Sequence, residues 1–272
     1  MTAPVSKRTP VQAIRIGVGG PADPVALPTT PEAAVEMQQR LRTSVDTTDP
    51  RPPNFRTVAG LDSAYDDAGH VVAAVVVLDA DTLEPVDTAT ARGTITFPYV
   101  PGLLAFRELP TTLAALEKLG TTPDLLVCDG QGIAHPRRFG LACHLGLITG
   151  LPTIGVAKNV LGECDEPPAE RGSVSDITLD GEVVGRALRT QKGIKPVYVS
   201  VGHRINIDTA CAQVLALSPS YRQPETTRRA DHLCRTLLRD IAVDQNRLTT
   251  DTAGTSRPAS PPPDPRQDPP PA

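Results

Sequence analysis

Thr57-Val-Ala-Gly-Leu-Asp-Ser-Ala-Tyr65 and Val71-Val-Ala-Ala-Val-Val-Val-Leu78 are the two stretches that decide the fold of this chain. The second is continuously apolar and rich in β-branched residues, as in a strand covered on both faces, and the first reads as its neighbour. A third strand is expected over residues 86–95, completing an antiparallel meander. Upstream, Thr30 precedes Pro31, and Ala34, Met37, Leu41 and Val45 recur at helical spacing, so the pattern predicts a capped helix over 31–43. A Pro-rich link, Asp49-Pro-Arg-Pro-Pro53, joins it to the first strand.

Downstream the pattern alternates. Leu113, Leu116 and Leu119 mark a helix, and Asp124-Leu-Leu-Val-Cys128 is a buried strand ending at Asp129. Pro136 is expected to open a helix that closes near Gly150, with a short strand at Thr153-Ile-Gly-Val156. Strands follow over 183–188 and 196–201. One helix starts near Asp208, and another runs from Pro224 with Ala230, Leu233, Cys234, Leu237, Leu238 and Ile241 on one stripe. A meander followed by strand–helix alternation indicates one α/β domain with a mixed sheet.

The 272 residues include 27 basic and 31 acidic side chains, a net charge of −4, which argues against a uniformly basic nucleic-acid binder. The 29 prolines are the unusual count: six lie in residues 1–31 and eight in 247–272, so both ends are expected to be disordered tails (1–28 and 247–272) around a folded 29–246. No stretch approaches 18 apolar residues and the N-terminus lacks a secretory pattern, so a cytoplasmic protein without membrane attachment is expected, a monomer. Five cysteines without a C-x-x-C pair support neither a zinc site nor a disulfide framework; buried, inert thiols are expected.

Asp62 and Asp129 each interrupt or end an apolar strand, where a carboxylate is costly unless paired or metal-bound. If the strands are neighbours, the two can face one hard cation such as Mg2+; otherwise each is a turn aspartate capping its loop. Tyr99, braced by Pro98 and Pro101, has a stiff backbone, suited either to an outward ring that wedges between bases or to a ring that plugs a core edge. Glu108 precedes Pro110, an expected helix break, as a third acid near the metal or an exposed helix-end residue. In Asp129-Gly-Gln-Gly-Ile-Ala-His-Pro-Arg-Arg138, Gly130 and Gly132 permit close approach of a ligand. His135, Arg137 and Arg138 would stand at a helix start that favours phosphate. Lys158 ends a strand as a phosphate-holding cation or a solvated lysine.

The combination resembles the endonuclease V family. The resemblance is carried by Gly-Leu-Asp62-Ser-Ala-Tyr, Pro98-Tyr-Val-Pro-Gly-Leu-Leu-Ala-Phe-Arg-Glu108, Asp129-Gly-Gln-Gly-Ile-Ala-His-Pro-Arg-Arg-Phe-Gly, Thr153-Ile-Gly-Val-Ala-Lys158 and Gly202-His-Arg, and it spans residues 32–239. It implies an RNase H-like fold, with Asp62 and Asp129 as metal carboxylates (Mg2+, with Mn2+ able to substitute) and Glu108 as a third acid. His135 and Lys158 would lie around the scissile phosphate, Tyr99 would be the wedge, and Gly130 and Gly132 would line the pocket for an extruded base. His203 would support the site from behind. Gln131 stands where many members have His, and Val100 where Ile is commoner.

The implied reaction is Mg2+-dependent hydrolysis of DNA containing deoxyinosine at the second phosphodiester bond on the 3′ side, leaving 3′-hydroxyl and 5′-phosphate ends and the lesion in place. Alternatives are a nuclease for inosine in RNA and a lesion-binding protein without catalysis. In so acidic a chain, binding would rely on local cations: Arg137, Arg138, Lys158, Lys192, Lys195 and Arg204.

Overall fold

Thr30 accepts a hydrogen bond from the Ala33 amide, and Pro31 takes the first position of α1 (Pro31–Leu41), which tightens into a 3₁₀ turn over Arg42–Ser44. The computed structural model in which these elements are seen describes residues 27–49 and 54–253, with 242–253 as backbone alone. Most of the two expected tails lies outside the described residues. The last helix, however, continues through Ala253, past the expected boundary at 246.

The meander forms as expected from β1 (Thr57–Tyr65), β2 (His70–Asp79) and β3 (Pro85–Thr94), all antiparallel. After α2 (Ala105–Leu116) comes β4 (Leu125–Asp129), which joins β1 in parallel, and after α3 (Leu141–Thr149) comes β5 (Thr153–Ala157), which joins β4 in parallel. The sheet then continues through strands that pair antiparallel: β6 (Glu163–Cys164), β7 (Val174–Leu179), β8 (Glu182–Leu188) and β9 (Val197–His203). The order is β3-β2-β1-β4-β5-β9-β8-β7-β6, a mixed sheet as the RNase H-like expectation requires. β6 and β7 were not legible in the sequence, because Val-Ser-Asp-Ile-Thr-Leu buries only Ile177 fully.

Alternation along the strands assigns the two layers. Ala59, Leu61, Val75, Leu126 and Cys128 pack under α2 and α3, whereas Val58, Val127, Val156 and Val199 pack with α4 (Ile207–Ala216) on the other face. The chain divides into one unit through Leu238 and a second from Arg239, whose described part is the C-terminal portion of α5 (Glu225–Ala253). No helix among the described residues is long and apolar enough to cross a membrane.

Two local expectations are corrected. Pro110 does not break its helix: α2 runs through it, which places Glu108 inside the first turn and buried, not at an exposed end. Pro136 does not open α3, which starts at Leu141 after an extended Gly140. Arg138 is left-handed (φ 55°) and Phe139 is fully buried, so residues 133–139 form a turn that drives a side chain into the core. All five cysteines are free, four of them buried and Cys164 half-buried.

α5 approaches β1 at Gly60, where a Cβ would stand 2.0 Å from the Thr226 carbonyl carbon. Only glycine fits, and this contact sets how closely the helix carries its polar residues to the end of β1. Gly60→Ala is expected to cost about 1–3 kcal/mol by overpacking, read by urea denaturation, and to lower any activity that depends on α5. A variant as stable as the parent would contradict this.

Candidate active site

Leu61 pairs with Cys128 in parallel register, so the residues that follow, Asp62 and Asp129, stand side by side at the edge where β4 ends. β5 brings Lys158 to the same edge, because Asp129 pairs with Val156 two residues earlier. The Lys158 Nζ lies 2.5 Å from Asp129 Oδ2. Glu108 reaches this edge from α2 on the opposite face, 7% exposed. Ligand sites at the carboxyl ends of parallel strands follow from this geometry, since the chain leaves the sheet there in loops that are free to vary.

Burial and the charge of Asp129 push Asp62 up to about 8, despite the Ser63 amide that donates to its Oδ1 at 2.8 Å. The same two causes push Glu108 up to about 8. Burial works against the charge of Lys158, yet contact with Asp129 and the nearby Asp62 and Asp231 hold its ammonium above the ordinary range. Lys158 is therefore a fixed cation, and Arg222 fixes its backbone by donating to the Lys158 carbonyl at 2.8 Å.

Asp231, on α5, is a carboxylate the sequence reading missed. Burial raises it, but hydrogen bonds with Arg235 and Asp62 win and hold its carboxyl below the usual range. Its signal in the sequence is an acid on a buried helical stripe, between Thr227 and Cys234. The donor set is thus hard carboxylate oxygen, with mutual repulsion that a hard divalent cation would relieve, so its chemistry fits Mg2+ or Mn2+. Among the described residues no three His, Cys, Asp or Glu side chains form a closed cage.

The structure separates other expected site residues from this edge. His203 pairs with Thr153, at the start of β5, because β9 runs antiparallel to it. That is four residues, or roughly 13 Å, from Ala157 and the carboxylates, and its Nδ1 accepts from the Asp46 amide at 3.1 Å. Arg204 is at the same far end, donating to Gly150 O. His135 is buried, with Nδ1 accepting from the Arg137 amide and Nε2 donating to Gly102 O at 2.9 Å, so both ring nitrogens are engaged. Arg138 is committed to Glu182, Asp180 and Leu179 O, and Arg137 to Gln38 and Gly102 O. Nor do the pair stand at a helix start: the first amides of α3 are taken by the glycine loop itself, Gly140 N donating to Gly132 O and Ala142 N to Gln131 O. Lys192 pairs with Glu170, while Lys195 reaches Asn159 beside Lys158.

Gly132 is required for packing: a Cβ there would stand 2.0 Å from Val201 O. Its amide donates to Ser200 Oγ and that of Gly130 to Val156 O, so both N–H groups are spent within the protein. Gln131 donates to Asn159 O, and its buried Oε1 has no partner among the described residues. Tyr99 is 68% exposed, so the ring does not plug the core. Arg107 lies 5.9 Å from its ring and 5.3 Å from that of Tyr65, and donates to Phe97 O.

Burial pushes His135 and His144 down to about 4. Both bind protons more readily unfolded, so stability is expected to fall as pH drops from about 6.5 towards 4, each pKa unit being worth about 1.4 kcal/mol. Among the described residues His144 has no partner for either nitrogen, and it packs between Phe106 and Phe139. His144→Phe is therefore expected to flatten the acid limb of a stability–pH curve; an unchanged limb would exclude His144 as its source.

A profile of the family described as Endonuclease V matches residues 39–232. An Endonuclease V from Nocardia farcinica (strain IFM 10152) is 67% identical over 217 residues, which is 79% of this chain and 96% of that protein. The crystal structure of the Endonuclease V from Streptomyces avermitilis is similar with a TM-score of 0.76 at 58% identity, covering 80% of this chain and 97% of that one. Ciona intestinalis Endonuclease V, crystallised with a 24mer DNA containing an inosine followed by a ribo-adenosine, gives a TM-score of 0.66 at 29% identity, over 76% of this chain and 96% of that one.

Proposed function

The chain belongs to the endonuclease V family, and on that premise we propose that it is a metal-dependent DNA-repair endonuclease acting at deoxyinosine. It hydrolyses the second phosphodiester bond on the 3′ side of the lesion, leaving 3′-hydroxyl and 5′-phosphate ends with the lesion in place. The observation that carries the reading is Asp62 beside Asp129 on adjacent parallel strands, with Lys158 and Glu108 at the same edge. The inosine in the DNA bound by the Ciona relative supports the choice of lesion.

Asp62 and Asp129 would hold the cation, Mg2+ in this reading. When bound, it supplies positive charge that polarises the scissile phosphate and makes a water more acidic. The chain's own groups do the rest. Lys158, kept charged and fixed through Arg222, offsets charge that grows on the phosphate oxygens. Glu108, pushed up to about 8, holds its proton near neutral pH and so can donate a hydrogen bond that orients a water; only its ionised form, which gains population as pH rises towards 8, can take a proton. Tyr99 presents a stiff, exposed ring suited to filling the gap left by an extruded base. Extruding hypoxanthine costs less than extruding a well-paired base, which favours the lesion.

The ribo-adenosine in the DNA of the Ciona complex favours one second reading, inosine in RNA. Matched inosine-containing DNA and RNA strands, cleaved side by side with Mg2+, separate the two. Faster cleavage of the DNA is expected, and a preference for the RNA strand would replace the proposal with its alternative.

A further inference from the structure

Gly102 closes the turn that carries Tyr99, and its carbonyl oxygen receives three donors: Gln38 Nε2 at 3.0 Å, His135 Nε2 at 2.9 Å and Arg137 Nη2 at 2.8 Å. A carbonyl oxygen offers two lone pairs, so three converging donors locate it narrowly. Gln38 is the pivot of this group. Its second N–H goes to Phe139 O at 3.0 Å, and its Oε1 accepts from Arg137 Nε. Every donor and acceptor of the amide is used, at 1% exposure. The side chain thus joins three segments far apart in sequence: α1, the Tyr99 turn and the loop after Asp129.

We propose that Gln38 is a positioning residue for Tyr99, a clamp that holds the turn so the ring is presented rigidly to duplex DNA. The other end of the turn is braced independently, by Arg107 donating to Phe97 O at 3.2 Å. Around the clamp the packing is apolar, with Ala34, Met37, Phe97, Leu103 and Phe106 in one cluster. An amide in such a place is costly unless it is fully bonded, and here its bonds go to the turn. The proposal rests on the reading of Tyr99 as the residue that enters the duplex.

The test uses Gln38→Met, which keeps the bulk and loses the hydrogen bonds. Gln38→Glu keeps the size and the contact with Arg137 but loses both donors, and serves should the first variant not fold. Opening a base pair matters in a duplex and not in a single strand. Both variants are therefore expected to lose about tenfold in kcat/KM on an inosine duplex, mostly through KM, and less than about twofold on the single strand. Equal losses on both substrates, or no loss, would overturn the clamp, because a purely structural role lowers both together. The chain has no tryptophan, so Tyr99→Trp gives a single reporter whose fluorescence anisotropy is expected to fall when Gln38→Met is added. Unchanged anisotropy overturns the clamp by itself. Undiminished duplex cleavage by Tyr99→Ala instead overturns the reading of Tyr99 on which the proposal depends.

Discussion

Asp62→Asn and Asp129→Asn are each expected to lower single-turnover cleavage of an inosine duplex by roughly a thousandfold or more, the several kcal/mol that a charge-stabilising centre supplies. Binding to the lesion should remain measurable. The same change to Asp62 has an expected effect on stability of the opposite sign. Burial and Asp129 raise the folded-state value of Asp62 from 3.8 to about 8, so folding binds a proton that the unfolded chain does not. The contribution of this carboxylate to stability is greatest below about 4 and is lost as pH rises towards 8, at about 1.4 kcal/mol per pKa unit. In chelator-treated protein at pH 8, Asp62→Asn should therefore raise the melting temperature by several degrees. A variant that is both inactive and less stable would point to a scaffolding role, and one that still turns over would remove Asp62 from the reaction.

Lys158→Met is the second large effect. The ammonium is held 2.5 Å from Asp129, with its carbonyl fixed by Arg222, so its position does not depend on a mobile chain end. Removing a preorganised charge of this kind costs about 10²–10³ in rate. Loss should fall on the chemical step, with lesion affinity nearly unchanged. Lys158→Arg should not restore it, since a planar fork cannot reproduce a point charge in the same space. If the two variants lose affinity and keep their single-turnover rate, Lys158 serves binding alone.

The central pair was legible because a carboxylate in an apolar strand is conspicuous: Asp62 and Asp129 interrupt runs that are otherwise buried. The meander and the parallel additions followed from the same runs. What the sequence does not carry is strand direction beyond β5. Motif order puts Gly202-His203-Arg204 after Lys158, but the antiparallel course of β9 sends that motif to the opposite edge. The helix start at Leu141 was hidden for another reason. Pro136 is compatible with a first helical turn, yet burying Phe139 and pairing Gly140 with Gly132 forces a tighter path. Asp231 and Gln38 were missed because a polar residue on an apolar stripe reads as a break in the pattern; only the packed partner shows it is bonded. His135, Arg137 and Arg138 looked like a phosphate site from composition, and the structure spends them on holding loops together.

The most direct test is to map the cut on an end-labelled duplex with a single deoxyinosine, with and without Mg2+. A Mg2+-dependent nick at the second phosphodiester bond 3′ to the inosine, absent from the unmodified duplex and from Asp129→Asn, is the expected result. Cleavage without a divalent cation, at undamaged positions, or undiminished in Asp129→Asn would contradict the account.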